Sequence, residues 1–260
     1  MKKSIRTFGR IALVGVTATT ILASTAWAEE EKPTADLSAS FLSKYVWRGY
    51  ELSKDSLVIQ PSMTVGYKGF SMNLWGNLDT DNDLTETNEF NETDVTLSYA
   101  GSCSFADYSV GYIYYALDDA DDTQEVYASA SLKTLLTPTL TVYRDYDFAP
   151  GWYITADISH SFPVSDDLSL DLGAKIGYLD VDDESTKSYR DDPTDAYSEF
   201  HDAVISASMA FPLGQYFSIT PEIYYSFPLT SDAEDDIEDS NPYSNDSDYI
   251  YGGVTLSMSF

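Results

Sequence analysis

Cysteine, histidine and basic side chains are all scarce in this chain. The one cysteine, Cys103, cannot form an internal disulfide, and its plain reading is a turn residue without a redox role. The two histidines, His160 and His201, fit no zinc spacing. Each has a polar sequence neighbour, Ser161 and Asp202, which alternation along a strand places on the opposite face, so no nucleophile–base pair is expected. No phosphate loop or cofactor motif is present, and no enzyme is expected. Against 43 acidic residues stand 14 basic ones, a formal net charge of −29. Such a chain repels phosphate and is not expected to bind nucleic acid. After residue 28 no segment approaches the run of about 20 apolar residues that a transmembrane helix needs. A membrane location is then open only to a barrel, which pairs every backbone group between strands.

What the chain does have is aromatic residues, hydroxyls and alternation. Tyrosine numbers 21 and phenylalanine 12. Dense aromatics and a regular pattern argue against disorder despite the acid. Residues 1–28 have the three parts of a secretory signal. Lys2, Lys3, Arg6 and Arg10 precede a mostly apolar stretch, and Ala26-Trp27-Ala28 is a cleavage site. The expected division is a signal peptide over 1–28 and a β-barrel domain over 29–260.

Twelve alternating segments follow, at roughly 36–50, 57–67, 70–78, 93–99, 108–117, 125–132, 139–146, 152–162, 168–179, 200–211, 217–227 and 249–260. Leu57, Ile59, Met63 and Val65 alternate with Val58, Gln60, Ser62 and Thr64. Leu168, Leu170, Leu172, Ala174 and Ile176 alternate with Ser169, Asp171, Gly173 and Lys175. The last segment alternates up to Phe260, a terminal aromatic of the kind the barrel assembly machinery reads. A soluble β-sandwich is the competing architecture. Its polar face would meet open water, yet here that face is mostly Ser, Thr, Gly and Asn with single acids. Aromatics also gather at segment ends (Tyr67, Phe70, Tyr99, Tyr108, Phe162, Phe211, Phe217), as in an interfacial girdle.

The connections decide between the two. Short ones alternate with longer ones, and the acid sits in the longer set: 79–92, 118–125, 181–199 and 229–248 hold 6, 5, 7 and 8 acidic residues. Barrels keep short turns on the periplasmic side and longer loops outside. The expectation is an all-β, transmembrane, antiparallel up-and-down barrel of about 12 strands with acidic extracellular loops, in contact with outer-membrane lipid and lipopolysaccharide.

The opening Ser43-Lys44-Tyr45-Val46-Trp47-Arg48-Gly49-Tyr50 is followed by Gln60-Pro61, then Tyr67-Lys68-Gly69-Phe70 and Leu74-Trp75-Gly76. This S-x-Y-x-x-R-G start with a Q-P strand and a G-F…W-G strand resembles the TorF-type porins of proteobacteria, clearly over about residues 36–79. The resemblance implies an outer-membrane barrel that forms a pore.

With the apolar face toward lipid, the other face carries Lys44, Arg48, Gln60, Asn73, Asn77, Asp94, Asp157, Asp171, Lys175, Asp202 and Glu222. These are the expected pore-lining residues. Arg48 offers a rigid fork for a carboxylate, either on a solute or on the opposing wall. Strand number alone leaves the lumen either a polar channel or a space filled by side chains. Acid at the outer mouth favours cations. Asp79-Thr80-Asp81-Asn82-Asp83 has the D-x-D-x-D spacing of a calcium loop but lacks its glycine and its closing glutamate. No cofactor is expected beyond weak Ca2+ or Mg2+ binding by the loops, with Asp79, Asp81 and Asp83 as ligands. The function expected is passive diffusion of small solutes through an outer-membrane channel. A non-conducting structural or adhesive barrel is the alternative, and a lipid-modifying barrel enzyme a distant third.

Overall fold

The computed structural model describes residues 32–82, 87–118, 120–148, 150–182 and 197–260. Among these lie, in chain order, β1 (Thr34–Leu42), β2 (Val46–Trp47), β3 (Tyr50–Glu51), β4 (Val58–Tyr67), β5 (Phe70–Asn82), β6 (Thr87–Ser102), β7 (Ala106–Leu117), β8 (Thr123–Leu132), β9 (Thr139–Asp145), β10 (Gly151–Pro163), β11 (Ser169–Val181), β12 (Tyr197–Met209), β13 (Phe211–Leu213), β14 (Phe217–Pro228), α1 (Ser231–Asp239) and β15 (Tyr249–Ser259). Twelve strands make the wall, each antiparallel to its neighbours. β15 pairs with β1 from Asp36↔Ser259 to Leu42↔Gly253, and β12 pairs with β14, so the ring closes. β13 carries β12 onward past Ala210 along the same partner strand. A closed ring leaves no edge, which is what allows a sheet to sit in hydrocarbon.

The period-2 pattern sorts the two faces of that wall. Met63, Val65, Met72, Leu74, Leu97, Ile158, Ile205, Ile223 and Leu256 all point outward and lie exposed. A continuous apolar exterior of this size belongs in lipid rather than in water. Tyr67, Phe70, Tyr99, Tyr108, Phe162, Tyr216, Phe217 and Phe260 form an exposed aromatic rim at the end where Thr34 and Ser259 lie, with Phe70 on Tyr99 at 4.9 Å. A second rim, unforeseen from sequence, holds Phe90, Tyr146, Trp152 and Phe200 at the other end. Inward, hydroxyls pair between adjacent strands: Ser71 with Ser98 at 2.6 Å, Ser129 with Thr141 at 2.9 Å and Ser40 with Thr255 at 2.7 Å.

Two expectations need correction. The first alternating segment does not run as wall to Tyr50. The wall strand stops at Leu42, and β4 resumes it at Val58 directly opposite. Residues 43–57 turn into the barrel instead, so Lys44 and Arg48 are not wall residues. The acidic stretch 79–92 is not mainly loop, because β5 and β6 extend through most of it. Most of the expected loop over 181–199 lies outside the described residues.

Candidate functional site in the barrel lumen

The inturned segment is built around one tight turn. β2 and β3 pair through Trp47↔Tyr50, joined by Arg48 and Gly49 at φ 49° and 87°. Two left-handed residues in succession make a turn whose twist matches the strands it joins, and its first position usually goes to Asn or Gly. An arginine there costs about 1 kcal/mol of backbone strain. Gly49 is required twice over: by its φ, and because a Cβ would stand 2.9 Å from Ile237 Cδ1 and 3.2 Å from Asp202 Cβ.

The turn sets Arg48 at the tip of the hairpin, where it meets a wall carboxylate. Its Nη2 donates to both oxygens of Glu125 at 2.7 Å. Tyr115 also donates to Glu125 Oε2, at 2.8 Å, which fixes the acceptor in place. The guanidinium lies 4.3 Å from the ring centres of Trp47 and Tyr153 and 5.3 Å from Tyr143. Only 9% of the Arg48 side chain and 1% of Glu125 is exposed. Aromatic faces stand in for part of the water a buried cation has lost.

Two further basic groups are neutralised in the same layer. Lys175 Nζ lies 3.2 Å from Asp202 Oδ2, and Tyr153 donates to Asp202 Oδ1 at 2.7 Å. Lys44 pairs with Glu51 inside the hairpin and with Asp55 at 2.9 Å, and sits over the Tyr249 ring. Burial pulls the Lys44 ammonium down, but hydrogen bonds and charge from Glu51 and Asp55 overcome it and hold the group above its ordinary pKa.

Strand alternation fails at one point. The β11–β12 register jumps between Ile176↔Ala203 and Tyr178↔Phe200, so Gly177 faces both His201 and Asp202. The bulge turns both side chains inward, and both are fully buried. They do not diverge to opposite faces as alternation had implied. His201 Nδ1 lies 2.6 Å from the Tyr197 hydroxyl, and its ring stands 5.0 Å from that of Tyr50. Gly177 makes room: a Cβ there would run into Asp202 Oδ1 and reach within 2.6 Å of the Tyr153 hydroxyl.

The connection from β14 to β15 also enters the lumen. Thr230 caps α1 by accepting from Ala233 N at 3.1 Å, and Asp232 and Glu234 suit the positive end of the helix dipole. Ala233 and Ile237 are wholly buried, Ile237 against Val46 and Tyr50 of the hairpin. Tyr50 donates to Asp236 Oδ2 at 2.7 Å, while Asn241 Nδ2 reaches Glu51 Oε2 and the Tyr249 hydroxyl at 3.0 Å each. Hairpin and helix thus form one plug inside a ring of wall tyrosines that includes Tyr115, Tyr143, Tyr153, Tyr224 and Tyr251.

The expected lining residues on wall strands all lie on the inner face. Asn73 donates to Ser62 and Thr64 at 2.8 Å each, and Asn77 receives from Gln60 at 3.0 Å. Asp157 accepts from Thr155 at 2.9 Å, Asp171 from Ser161, and Glu222 from Tyr224 and Thr255. Asp94 is 9% exposed and leaves Oδ1 without a hydrogen bond among the described residues. Glu92 and Glu125 line the lumen too and went unforeseen, although their parity with Asp94 and with Tyr127 was open to reading. The calcium-loop residues separate. Asp79 faces inward, accepting from Ser56 at 2.5 Å, Asp81 is exposed, and Asp83 lies outside the described residues. Among the described residues no three His, Cys, Asp or Glu side chains are placed to hold a metal ion.

A family model described as "Bacterial protein of unknown function (Gcw_chp)" matches residues 28–215. The chain belongs to the Gcw_chp family. No curated protein matches it. Among solved structures, this Gcw_chp chain is similar to the KdgM porin, with TM-score 0.53 and 11% identity over 87% of this chain and 99% of that one. KdgM in complex with disordered oligogalacturonate matches at TM-score 0.52 and 10% identity, with the same coverage. The NanC porin in a rhombohedral crystal form gives 0.51 and 10%, covering 87% of this chain and 98% of that one. At such identities the likeness is one of fold, and that fold is the closed antiparallel barrel of outer-membrane porins.

Proposed function

We propose that this Gcw_chp protein is a porin-like channel of the bacterial outer membrane, passing small solutes by diffusion and favouring cations. In this reading residues 1–28 direct export, 29–260 form the barrel, and the TorF-type porins are its nearer kin. The end bearing the termini faces the periplasm.

The observation that carries the proposal is the unequal charge of the inner face. Arg48, Lys175 and Lys44 are each held by a carboxylate. No ion pair joins Asp94, Asp157, Asp171 or Glu222 to a basic side chain among the described residues, and all four face the hydroxyl-lined lumen. A water-filled path lined this way attracts cations and repels anions. The test is a planar-bilayer measurement of reversal potential under a KCl gradient. A potential of the sign set by K+ is expected, moving toward zero in an Asp94→Asn/Glu222→Gln variant. Preference for Cl− would overturn the charge assignment.

A second reading, a non-conducting barrel with a structural or adhesive role, draws on the same plug, since Ile237 and Ala233 are wholly buried within it. Bilayer silence that persists after removal of the plug would favour it. A lipid-modifying enzyme has no such support: His160 packs on Phe162 at 4.6 Å, and His201 is buried on β12 against Tyr50 of the plug. Weak Ca2+ or Mg2+ bridging between acidic loops and lipopolysaccharide phosphates stays part of the proposal. Millimolar Ca2+ should then raise the thermal stability of the barrel in lipopolysaccharide bilayers.

A further inference from the structure

We infer that segment 43–57 is a gate, and that the Arg48–Glu125 ion pair is its latch. This rests on the channel reading and goes beyond it.

The first ground is how the segment is attached. β1 and β4 stay paired along their whole length, from Thr34↔Gly66 to Leu42↔Val58. The two ends of the segment are therefore register partners on adjacent strands. It can swing out of the lumen without breaking one hydrogen bond of the wall. Backbone atoms tie the segment to the wall at its two ends, by Ser43 N to Gly252 O at 2.9 Å and Gly252 N to Ser43 Oγ at 3.2 Å, and by Thr80 N to Leu57 O at 3.1 Å.

The second ground is that the segment holds itself together. β2 pairs with β3, Leu52 N donates to Tyr45 O at 2.8 Å, and Tyr45 N donates to Ser53 Oγ at 2.8 Å. Lys44 and Glu51 neutralise each other within it. The hairpin can move as a body and keep these bonds.

The third ground is the kind of bond that fastens it. Across the lumen it is held by Arg48 to Glu125. Toward α1 it is held by Tyr50 to Asp236 and Glu51 to Asn241, and near its return by Ser56 to Asp79. All are polar. A permanent stopper is cheaper to build from apolar side chains, because a buried ion pair returns little net energy after desolvation. The same pair parts readily once water reaches it, since both ions regain their hydration. Packing of Val46, Tyr50, Trp47 and Leu52 with Ile237 and the wall tyrosines keeps the closed form the resting one. The strained left-handed Arg48 points the same way: that backbone relaxes on release, while the arginine is tolerated for the carboxylate it reaches.

The experiment is single-channel recording of the full chain in planar bilayers, with four variants. Arg48→Gln and Glu125→Gln break the latch, and the exchange Arg48→Glu/Glu125→Arg restores it with reversed polarity. The fourth replaces residues 44–55 by a short Gly-Ser linker. Heat-modifiable migration in detergent gels verifies that each barrel has folded. The wild type should move between closed and open levels. The two single variants should raise open probability about tenfold, the scale of one charged hydrogen bond, at an unchanged open conductance. The exchange should bring it back, and the linker variant should stay at the open level. If the linker variant conducts while Arg48→Gln and Glu125→Gln leave the wild-type open probability unchanged, the hairpin is a fixed stopper and the gate is refuted. If wild type and linker variant conduct alike, the hairpin blocks nothing and the gate is equally refuted. A folded linker variant that is silent at every voltage removes the channel reading itself, and the gate with it.

Discussion

Arg48 is the residue on which most of the lumen converges. It combines an unfavourable backbone geometry, three aromatic neighbours and a carboxylate fixed by Tyr115. Removing one member of a buried ion pair leaves the other charged and unpaired, whereas removing both leaves only a packing defect. Arg48→Met should therefore lower the unfolding free energy in lipid by about 3 kcal/mol. The double variant Arg48→Met/Glu125→Leu should recover most of that, and urea titration followed by tyrosine fluorescence checks it. Equal losses in single and double variants would mean that the arginine acts through its stem and not its charge.

At the scale of elements, α1 and the hairpin depend on each other more than the wall depends on either. Ile237 is the apolar centre of their contact, and Gly49 is shaped to accept it. Ile237→Ala should cost about 2–3 kcal/mol of local stability, as cavity-forming changes do. The loss belongs to the plug: amides in Ser231–Asp239 and in β2–β3 should exchange faster with deuterium while those of β6 to β11 keep their protection. A uniform rise in exchange across the wall would show that the plug braces the barrel. The β12 bulge is the other element-level device. One extra residue opposite Gly177 brings His201 and Asp202 to the same side, where Asp202 receives Lys175 and Tyr153.

For the whole molecule the governing fact is that two solvents meet one sheet. Ile158 and Asp157 are chain neighbours, yet one points to lipid and the other into the lumen. Ile158→Arg should cost about 2–4 kcal/mol of stability, the range for a charge placed mid-depth on a lipid face. Asp157→Arg should leave folding largely intact and shift ion preference toward anions. Unfolding titrations paired with reversal potentials distinguish the two. Equal destabilisation by both would contradict the assignment of faces.

The wall was legible because its signal is local. Alternation with period 2 marks a strand and its faces from neighbours alone, so the twelve wall strands, many of their inner residues and the terminal aromatic rim could be read directly. The same rule misplaced residues 43–50, where alternation continues in a hairpin that has left the wall, and misread His201, where one inserted residue brings it to the same side as Asp202. What the chain determined by itself was a polar face, an apolar face and the number of times they repeat. What fills the barrel was decided only in three dimensions. Arg48 meets Glu125 across 77 positions of sequence and Tyr50 meets Asp236 across 186. Such contacts carry no periodic trace, because they are set by which loop folds inward once the ring has closed.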